Sequence, residues 1–223
     1  MTGPPGQTPH PGPGAGDVPW PDGRVVAAAV DALRSGSVVA VPTDTVYGLA
    51  VDPAVPGATA RLFAVKSRPD QVDLPVLVGT MEQFDDLVGP GAAAAVARRL
   101  ARALWPGALT IVVPRRPGLD WALGAHGDTV GVRCPGHAVV RRLCTEVGPL
   151  ATTSANMHGG SPCTTARAVA SLFGDRVAVV VDGGECDRPP STVVDVVDGT
   201  PRCLRQGGVP WSAVTAAASA ANG

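Results

Sequence analysis

Apolar residues recur along this chain with two alternating periods, one helical and one extended. Helical spacing closed by a glycine predicts a helix over 24–36, and β-branched residues followed by proline predict a strand over 37–42. The same patterns predict further helices over 57–66, 91–105, 137–147 and 164–174, and further strands over 75–79, 108–114, 128–135, 149–155, 176–184 and 191–197. Buried strands between helices predict an α/β fold. The connections near 176–205 are too short for helical crossovers, so we expect part of the sheet to be antiparallel.

The two ends of the chain depart from this pattern. Residues 1–20 combine dense Pro and Gly with few apolar residues, which predicts a disordered tail. Residues 213–223 are small and polar, so we expect a frayed end, although their composition also permits a short helix. Between them, residues 21–212 contain neither an internal repeat nor a linker, which predicts one compact catalytic domain.

Composition and charge narrow the class of protein. Hydrophobic residues make up 45% and charged residues 17%, with a formal net charge of −1, which is typical of a globular chain. A broad nucleic-acid-binding surface would normally be basic overall, so the charge leaves room only for a local basic cleft. The N-terminus lacks the basic-then-apolar order of a signal peptide, and no apolar run reaches the roughly 18 residues that span a bilayer. We therefore expect a cytoplasmic protein without a membrane segment.

Cysteine and histidine usage bears on redox state and metals. The five cysteines are odd in number, widely spread and form no C-x-x-C pair, which favours reduced thiols in the cytosol. The four histidines lack the spacing of a zinc site. The sequence therefore predicts no metal held by the protein itself.

Polar clusters follow several of the predicted apolar strands. They are "VPTDTVYGLA" (41–50), "KSRP" (66–69), "DTVGVR" (128–133), "TTSAN" (152–156), Ser191 and "LRQGG" (204–208). In open α/β sheets ligands bind at strand ends. Alternation along the strand over 128–133 predicts that Thr129 and Arg133 share one face. Each cluster alone has a simpler interpretation as a turn or as a helix-end charge. Together they provide cations and hydroxyls with almost no competing carboxylate, which favours an anionic ligand such as a nucleoside triphosphate.

Lys66 is the only lysine of the chain, and the other 17 of its 18 lysine and arginine residues are arginines. One interpretation is a solvated charge that complements the C-terminus of a helix, and arginine would serve equally well there. The other is a compact ammonium required in a narrow pocket, where a forked guanidinium would not fit.

The ordered motifs "PTDTVYGL", "KSRP", "LWPGALTIVV", "VGVRCP", "TSAN", "STVVD" and "LRQG" resemble those of the Sua5/YrdC/TsaC family, the threonylcarbamoyl-AMP synthases. The resemblance covers about residues 25–210. It implies a single-domain, twisted mixed parallel and antiparallel sheet with flanking helices around a basic cavity. It also implies a reaction that joins L-threonine, bicarbonate or CO2, and ATP into threonylcarbamoyl-AMP with release of pyrophosphate.

The resemblance implies roles by position. The threonine site would comprise Thr45, Arg133, Thr152 and Ser191, with Arg133 on the substrate carboxylate. The ATP and adenylate site would comprise Lys66, Arg68, Thr129, Ser154, Asn156 and Arg205. Among these, Lys66 and Arg68 would be catalytic. Mg2+ would enter bound to ATP, which is a substrate here.

The chain departs from the family pattern in three places. Residues 70–79 read "DQVDLPVLVG", with Gly79 near the position of a family histidine, so contacts from this segment are open. "SANMHGG" replaces a commoner Ser-Gly ending and leaves His158 without a role. Longer family members carry a C-terminal Sua5 domain, and we expect this chain to be the short form.

Two other functions stay open at this point. One is an RNA-binding module, which the net charge and the 4% aromatic content disfavour because single-strand platforms use aromatic rings. The other is a paralogue that transfers a carbamoyl group to a different acceptor. In the main interpretation, the product passes to a separate complex that makes t6A at position 37 of tRNA, and a weak tRNA contact is compatible with it.

Overall fold

The computed structural model describes residues 21–66, 72–125, 127–157 and 159–220. The first half of this part contains helix α1 (Gly23–Arg34), strands β1 (Val39–Val41) and β2 (Gly48–Val51), helix α2 (Ala58–Lys66), strand β3 (Val76–Leu77), helices α3 (Met81–Asp85) and α4 (Ala92–Leu104), and strand β4 (Leu109–Pro114). The second half contains strand β5 (Thr129–Arg133), helix α5 (Ala138–Val147), strand β6 (Leu150–Ser154), helix α6 (Ala166–Phe173), a 3₁₀ turn (Gly174–Arg176), strands β7 (Val179–Val180), β8 (Thr192–Asp195) and β9 (Arg202–Arg205), and helix α7 (Trp211–Ser219).

The strands form one mixed sheet in the order β7-β1-β2-β6-β3-β5-β4-β8-β9. The pairs β1–β7, β3–β5 and β4–β8 are parallel. The other neighbours, including the short return from β8 to β9, are antiparallel. The predicted mixed α/β sheet is confirmed.

Two apolar layers form on opposite faces of this sheet. Successive strand residues point to opposite faces, so Val39 and Val41 of β1 belong to one layer and Ala40 to the other. Helices α1 and α5 cover the first face, and α2, α4, α6 and α7 contribute apolar residues to the second. Fully burying a side chain such as Leu33 of α1 stabilises the fold by roughly 1.5–3 kcal/mol.

Local capping signals fix several helix ends. Thr165 accepts a hydrogen bond from the backbone N–H of Ala168 at 3.2 Å, so α6 begins directly after this threonine. Gly174 follows the last residue of the same helix at φ 52°, a left-handed conformation that glycine adopts without steric cost. The helix predicted over 164–174 is present as α6, with Thr165 and Gly174 as its capping residues.

The C-terminal segment differs from the frayed tail expected from residue 213. Helix α7 spans Trp211–Ser219 and packs on α4. Val214 and Ala217 are buried because small residues at helical spacing fit against the alanine-rich side of α4. The small residues, which predicted a frayed end or at most a short helix, here allow close helix packing. The expected tail over 1–20 lies outside the described residues.

No helix among the described residues combines the length and the apolar character needed to cross a membrane.

Candidate functional site

A cavity of about 510 Å³ opens on the sheet. Its walls come from β2, β4, β5, β6 and β8, from the loop that follows β1, and from segments around 73–75 and 190–191. Leu77 both lines this cavity and belongs to the apolar layer under α1 and α5. The cavity therefore lies on the α1–α5 face of the sheet, beside the area that those two helices cover.

Strand β5 supplies a row of cavity-lining positions. Alternation places Thr129, Gly131 and Arg133 on one face, while Val130 and Val132 enter the opposite apolar layer. The predicted alternation over 128–133 is confirmed, and it brings Thr129 and Arg133 to the same cavity.

Arg133 is buried, and three protein groups hold its guanidinium. Nη2 donates to Asp44 Oδ1 at 2.7 Å, Nη1 to Thr45 Oγ1 at 3.2 Å and Nε to the Gly107 carbonyl at 3.0 Å. Burial lowers the pKa of Arg133, and the neighbouring Asp44 carboxylate opposes that change. A guanidinium has five N–H donors, so one donor on each terminal nitrogen has no acceptor among the described residues. Two such donors match a carboxylate.

The expectation of almost no competing carboxylate is wrong at this site. Asp44 forms a buried ion pair with Arg133, with side-chain exposures of 17% and 8%. Asp73 is itself a cavity-lining residue. A buried guanidinium needs a counter-charge or a ligand. Asp44, in the "PTDT" turn, provides the counter-charge.

A second arginine lies on the far side of β8. Arg205 donates from Nη2 to the Ser191 carbonyl at 2.8 Å and to Ser191 Oγ at 3.2 Å. Ser191 Oγ also bonds Thr110 Oγ1 at 2.9 Å. Arg205 is close enough to Arg133 for their charges to interact, which contributes to the lowered pKa of Arg133. Arg205 thus lies beside residues expected to bind threonine, although the resemblance grouped it with ATP.

Lys66 ends α2 and is buried, with 4% of its surface exposed. Its Nζ donates to the Ser154 carbonyl at 2.5 Å, to Ser154 Oγ at 3.1 Å and to Asn156 Oδ1 at 2.8 Å. Asn156 is held in turn by its own donation to the Met157 and Gly160 carbonyls. The interpretation of Lys66 as a solvated helix-end charge is wrong, because the ammonium lies inside a polar cluster.

The described residues bring most of the predicted site together. Seven predicted residues line the cavity: Thr45, Thr129, Arg133, Thr152, Ser154, Ser191 and Arg205. Lys66 and Asn156 adjoin it through Ser154. Arg68 and His158 lie outside the described residues.

Position 79 has no space for the histidine seen in the family pattern. A Cβ on Gly79 would lie 2.6 Å from the Arg141 carbonyl and 2.8 Å from Thr145 Oγ1. In the described part of this segment, residues 72–79, Asp73, Leu74, Pro75 and Leu77 line the cavity.

Asp44 and Tyr47 belong to the polar segment 41–50, but the sequence interpretation assigned neither a role of its own, and it assigned none to Thr110 or Asp73, which line the cavity. Tyr47 is the chain's one tyrosine and is fully buried. Its hydroxyl donates to the Gly184 carbonyl at 2.8 Å and accepts from the Gly183 N–H at 3.1 Å. Burial raises the pKa of Tyr47 to about 12, so the phenol is neutral and anchors the connection that leads from β7 to Ser191. A buried arginine's need for an anion could have indicated Asp44, whereas Thr110 carried no signal.

Among the described residues, no group of three or more His, Cys, Asp or Glu side chains is arranged to hold a metal ion. The polar atoms that face the cavity are mainly hydroxyls and guanidinium nitrogens, which suit oxyanions.

Comparisons with known proteins agree with this arrangement. The model of the Sua5/YciO/YrdC family, described as "Telomere recombination", matches residues 31–207. The chain is 44% identical over 188 residues to a Mycobacterium tuberculosis protein, covering 83% of this chain and 85% of that one. It is 38% identical to the Bacillus subtilis threonylcarbamoyl-AMP synthase, covering 82% of this chain and 54% of that protein.

A solved structure supplies the fold comparison. The chain matches the crystal structure of Pyrococcus abyssi Sua5 complexed with L-threonine with a TM-score of 0.80 and 34% identity. That match covers 86% of this chain and 56% of the Pyrococcus chain. On the ordered motifs, the mixed sheet and the extent of the family match, this chain belongs to the Sua5/YciO/YrdC family.

Proposed function

We propose that this chain is a threonylcarbamoyl-AMP synthase, which joins L-threonine, bicarbonate or CO2, and ATP and releases pyrophosphate. The observation that carries the proposal is the cavity, where a buried arginine with two uncommitted donors lies among hydroxyl side chains and a buried lysine adjoins through Ser154. Relatives from Bacillus subtilis and Pyrococcus abyssi bear this activity as their name, and the Pyrococcus structure was solved with L-threonine.

The threonine subsite comprises Arg133, Thr45, Thr152 and Ser191. The two open donors of Arg133 take the substrate carboxylate, because a guanidinium fork and a carboxylate are complementary. Asp44 and Thr45 hold the guanidinium in one orientation, so little conformational freedom is lost on binding. Arg205 adds a second positive charge beside Ser191.

The ATP subsite centres on Lys66, Ser154, Asn156 and Thr129, with Arg68 as a further cation from the sequence motif. The Lys66 ammonium is fixed by Ser154 and Asn156, so its charge is positioned before ATP arrives. Fixed charges lower a barrier because they need little rearrangement as negative charge develops. Mg2+ accompanies ATP and supplies additional charge neutralisation on the phosphates.

The reaction requires no covalent bond to the protein. The threonine amine adds to CO2 and loses a proton to form a carbamate, or condenses with bicarbonate and releases water. A carbamate oxygen then bonds to the α-phosphorus while the bond from that phosphorus to the bridging oxygen breaks. Pyrophosphate leaves with the electron pair, so the work of the protein is orientation and charge stabilisation.

The product is a mixed anhydride that a second enzyme must consume. We infer that it passes to a separate transferase complex for t6A formation on tRNA, in the cytoplasm. A weak direct tRNA contact is compatible with this role but is not required for the adenylate-forming step.

The test is direct. The chain is incubated with ATP, L-threonine and bicarbonate, and mass spectrometry is used to detect threonylcarbamoyl-AMP while pyrophosphate is measured in parallel. We expect pyrophosphate release to require threonine. A folded preparation that releases none, and forms no adenylate, would refute the assignment.

A further inference from the structure

Gly131 lies in the middle of β5, on the face of the strand that lines the cavity. The row on this face is Thr129, Gly131 and Arg133, because side chains alternate along a strand. Thr129 and Arg133 carry side chains at the two ends of the row, and Gly131 carries none. This face of β5 therefore has no side chain between those of Thr129 and Arg133.

The protein around Gly131 does not require a glycine. A Cβ added there would lie 3.4 Å from Thr110 Cγ2 and 3.7 Å from Pro75 Cβ, which are ordinary van der Waals distances. Gly131 is also not among the glycines with positive φ, so its backbone is one that other residues adopt. A methyl group at this position fits both the packing and the conformation.

A glycine inside a strand carries a cost in stability. It loses more backbone freedom on folding than other residues, and it offers no side chain to pack. Strand glycines often mark a place where a ligand comes close to the backbone. Since neither packing nor backbone conformation explains Gly131, the space above it is the feature to explain.

We propose that Gly131 keeps open the space in which the carbamate of threonine meets the α-phosphate of ATP. The inference rests on the proposed function, in which Arg133 holds threonine and Thr129 belongs to the ATP subsite. Four residues of strand separate these positions by about 13 Å, at roughly 3.3 Å per residue. The reacting atoms must approach to about 3–3.5 Å between the two subsites, and Gly131 lies at the midpoint.

The neighbouring strands are consistent with this placement. Val112 of β4 pairs with Gly131, and Pro75 lies on the other side, beside Thr152. All four line the cavity. Apolar neighbours around a recess keep water away from a transfer that hydrolysis would waste.

The test compares Gly131→Ala with Gly127→Ala. Gly127 is exposed, does not line the cavity, and a Cβ there would have no atom within 4 Å. For each variant, kcat is measured by pyrophosphate release, the affinities for L-threonine and for ATP by calorimetry, and stability by thermal melting. Gly131→Ala should lose turnover at least about tenfold, since small misplacements of reacting groups are costly. Gly127→Ala should match wild type.

The other measurements separate obstruction from a structural role. In Gly131→Ala, each substrate alone should bind within about twofold of wild type, and the melting temperature should be equal or higher. A lower melting temperature, wild-type turnover, or weakened binding of threonine alone would each overturn the inference. If wild type itself makes no adenylate, the proposed function fails and this inference fails with it. An active wild type beside an equally active Gly131→Ala refutes only the role of Gly131.

Discussion

Asp44 and Arg133 form a buried ion pair, with Oδ1 2.7 Å from Nη2, although 89 residues separate them in the chain. The pair joins the loop after β1 to the end of β5, at the wall of the cavity. Two charges removed from water stabilise a fold only when each satisfies the other. The pair therefore both holds the arginine in place and leaves it dependent on an anion.

This dependence predicts the behaviour of Asp44→Asn. The variant leaves Arg133 buried without its counter-charge, so the free energy of unfolding should fall by about 3 kcal/mol. In the proposed function the threonine carboxylate supplies an anion to the same guanidinium. L-Threonine should therefore raise the melting temperature of Asp44→Asn more than that of wild type.

The control for this experiment is Asp86→Asn. Asp86 pairs with Arg116 at 2.9 Å, but both side chains are more than half exposed. Loss of such a pair should cost no more than about 1 kcal/mol and leave the threonine-induced shift unchanged. A shift in Asp44→Asn no larger than in wild type would show that threonine does not meet Arg133.

The Asp44–Arg133 pair also marks the limit of what the sequence could predict. Alternation along β5 correctly placed Thr129 and Arg133 on one cavity face, because that pattern is local. The partner of Arg133 is not local, and nothing near Arg133 in the sequence indicates Asp44. The same holds for Lys66, whose contact with Asn156 spans 90 residues.

Missed elements have a related cause. Strand β2 directly follows a polar turn and is only four residues long. Its apolar residues were therefore read as part of the turn segment. Strand β9 carries four exposed residues at the sheet edge and lacks the alternation of a half-buried strand. Its pairing with β8 contains a register shift, which no periodicity in the sequence reports. These elements depend on neighbours that form elsewhere in the chain.

Arg205 provides a test of how the two subsites divide. The family resemblance assigns it to ATP, whereas its hydrogen bonds go to Ser191 and its charge faces Arg133. We expect Arg205→Met to weaken L-threonine binding at least as much as ATP binding, as measured by calorimetry with each substrate alone.

Arg202→Met is the matched control, because Arg202 is on the same strand and pairs with Asp198 at the exposed surface. It should leave both affinities at their wild-type values. If Arg205→Met lost affinity for ATP alone, Arg205 would belong to the ATP subsite, and the expectation based on its contacts would be wrong.

Thiol reactivity should divide the five cysteines into two classes. Cys203 is exposed, while Cys134, Cys144, Cys163 and Cys186 are buried. Burial raises the pKa of each buried thiol, to about 11 for Cys186, so little reactive thiolate forms at neutral pH. A native sample should show one fast-reacting thiol per chain, measured with an aromatic disulfide reagent. Cys203→Ser should abolish that fast phase, and a second fast thiol in this variant would show that a buried cysteine is accessible.

The last prediction concerns the single lysine. Lys66 donates to Ser154 and Asn156 from a buried position, so the site must match the size of the ammonium as well as its charge. Arginine keeps the charge but is planar, wider and forked. We expect Lys66→Arg to lose turnover at least about tenfold, equivalent to roughly 1.4 kcal/mol of barrier. Overpacking should also lower the free energy of unfolding by about 1–3 kcal/mol.

Lys66→Met tests the need for charge separately from the need for a matching size, because methionine has nearly the length of lysine but no charge. Its turnover should fall below that of Lys66→Arg, and its ATP affinity should fall as well, since no ammonium remains to face the phosphates. Arg102→Lys, an exchange of an exposed cation in the last turn of α4, serves as the control and should change neither turnover nor stability appreciably. Steady-state kinetics and thermal melts of the three variants show whether position 66 needs a specific size or only a positive charge. Wild-type turnover in Lys66→Arg would mean that this position needs a positive charge and nothing more specific, despite its burial.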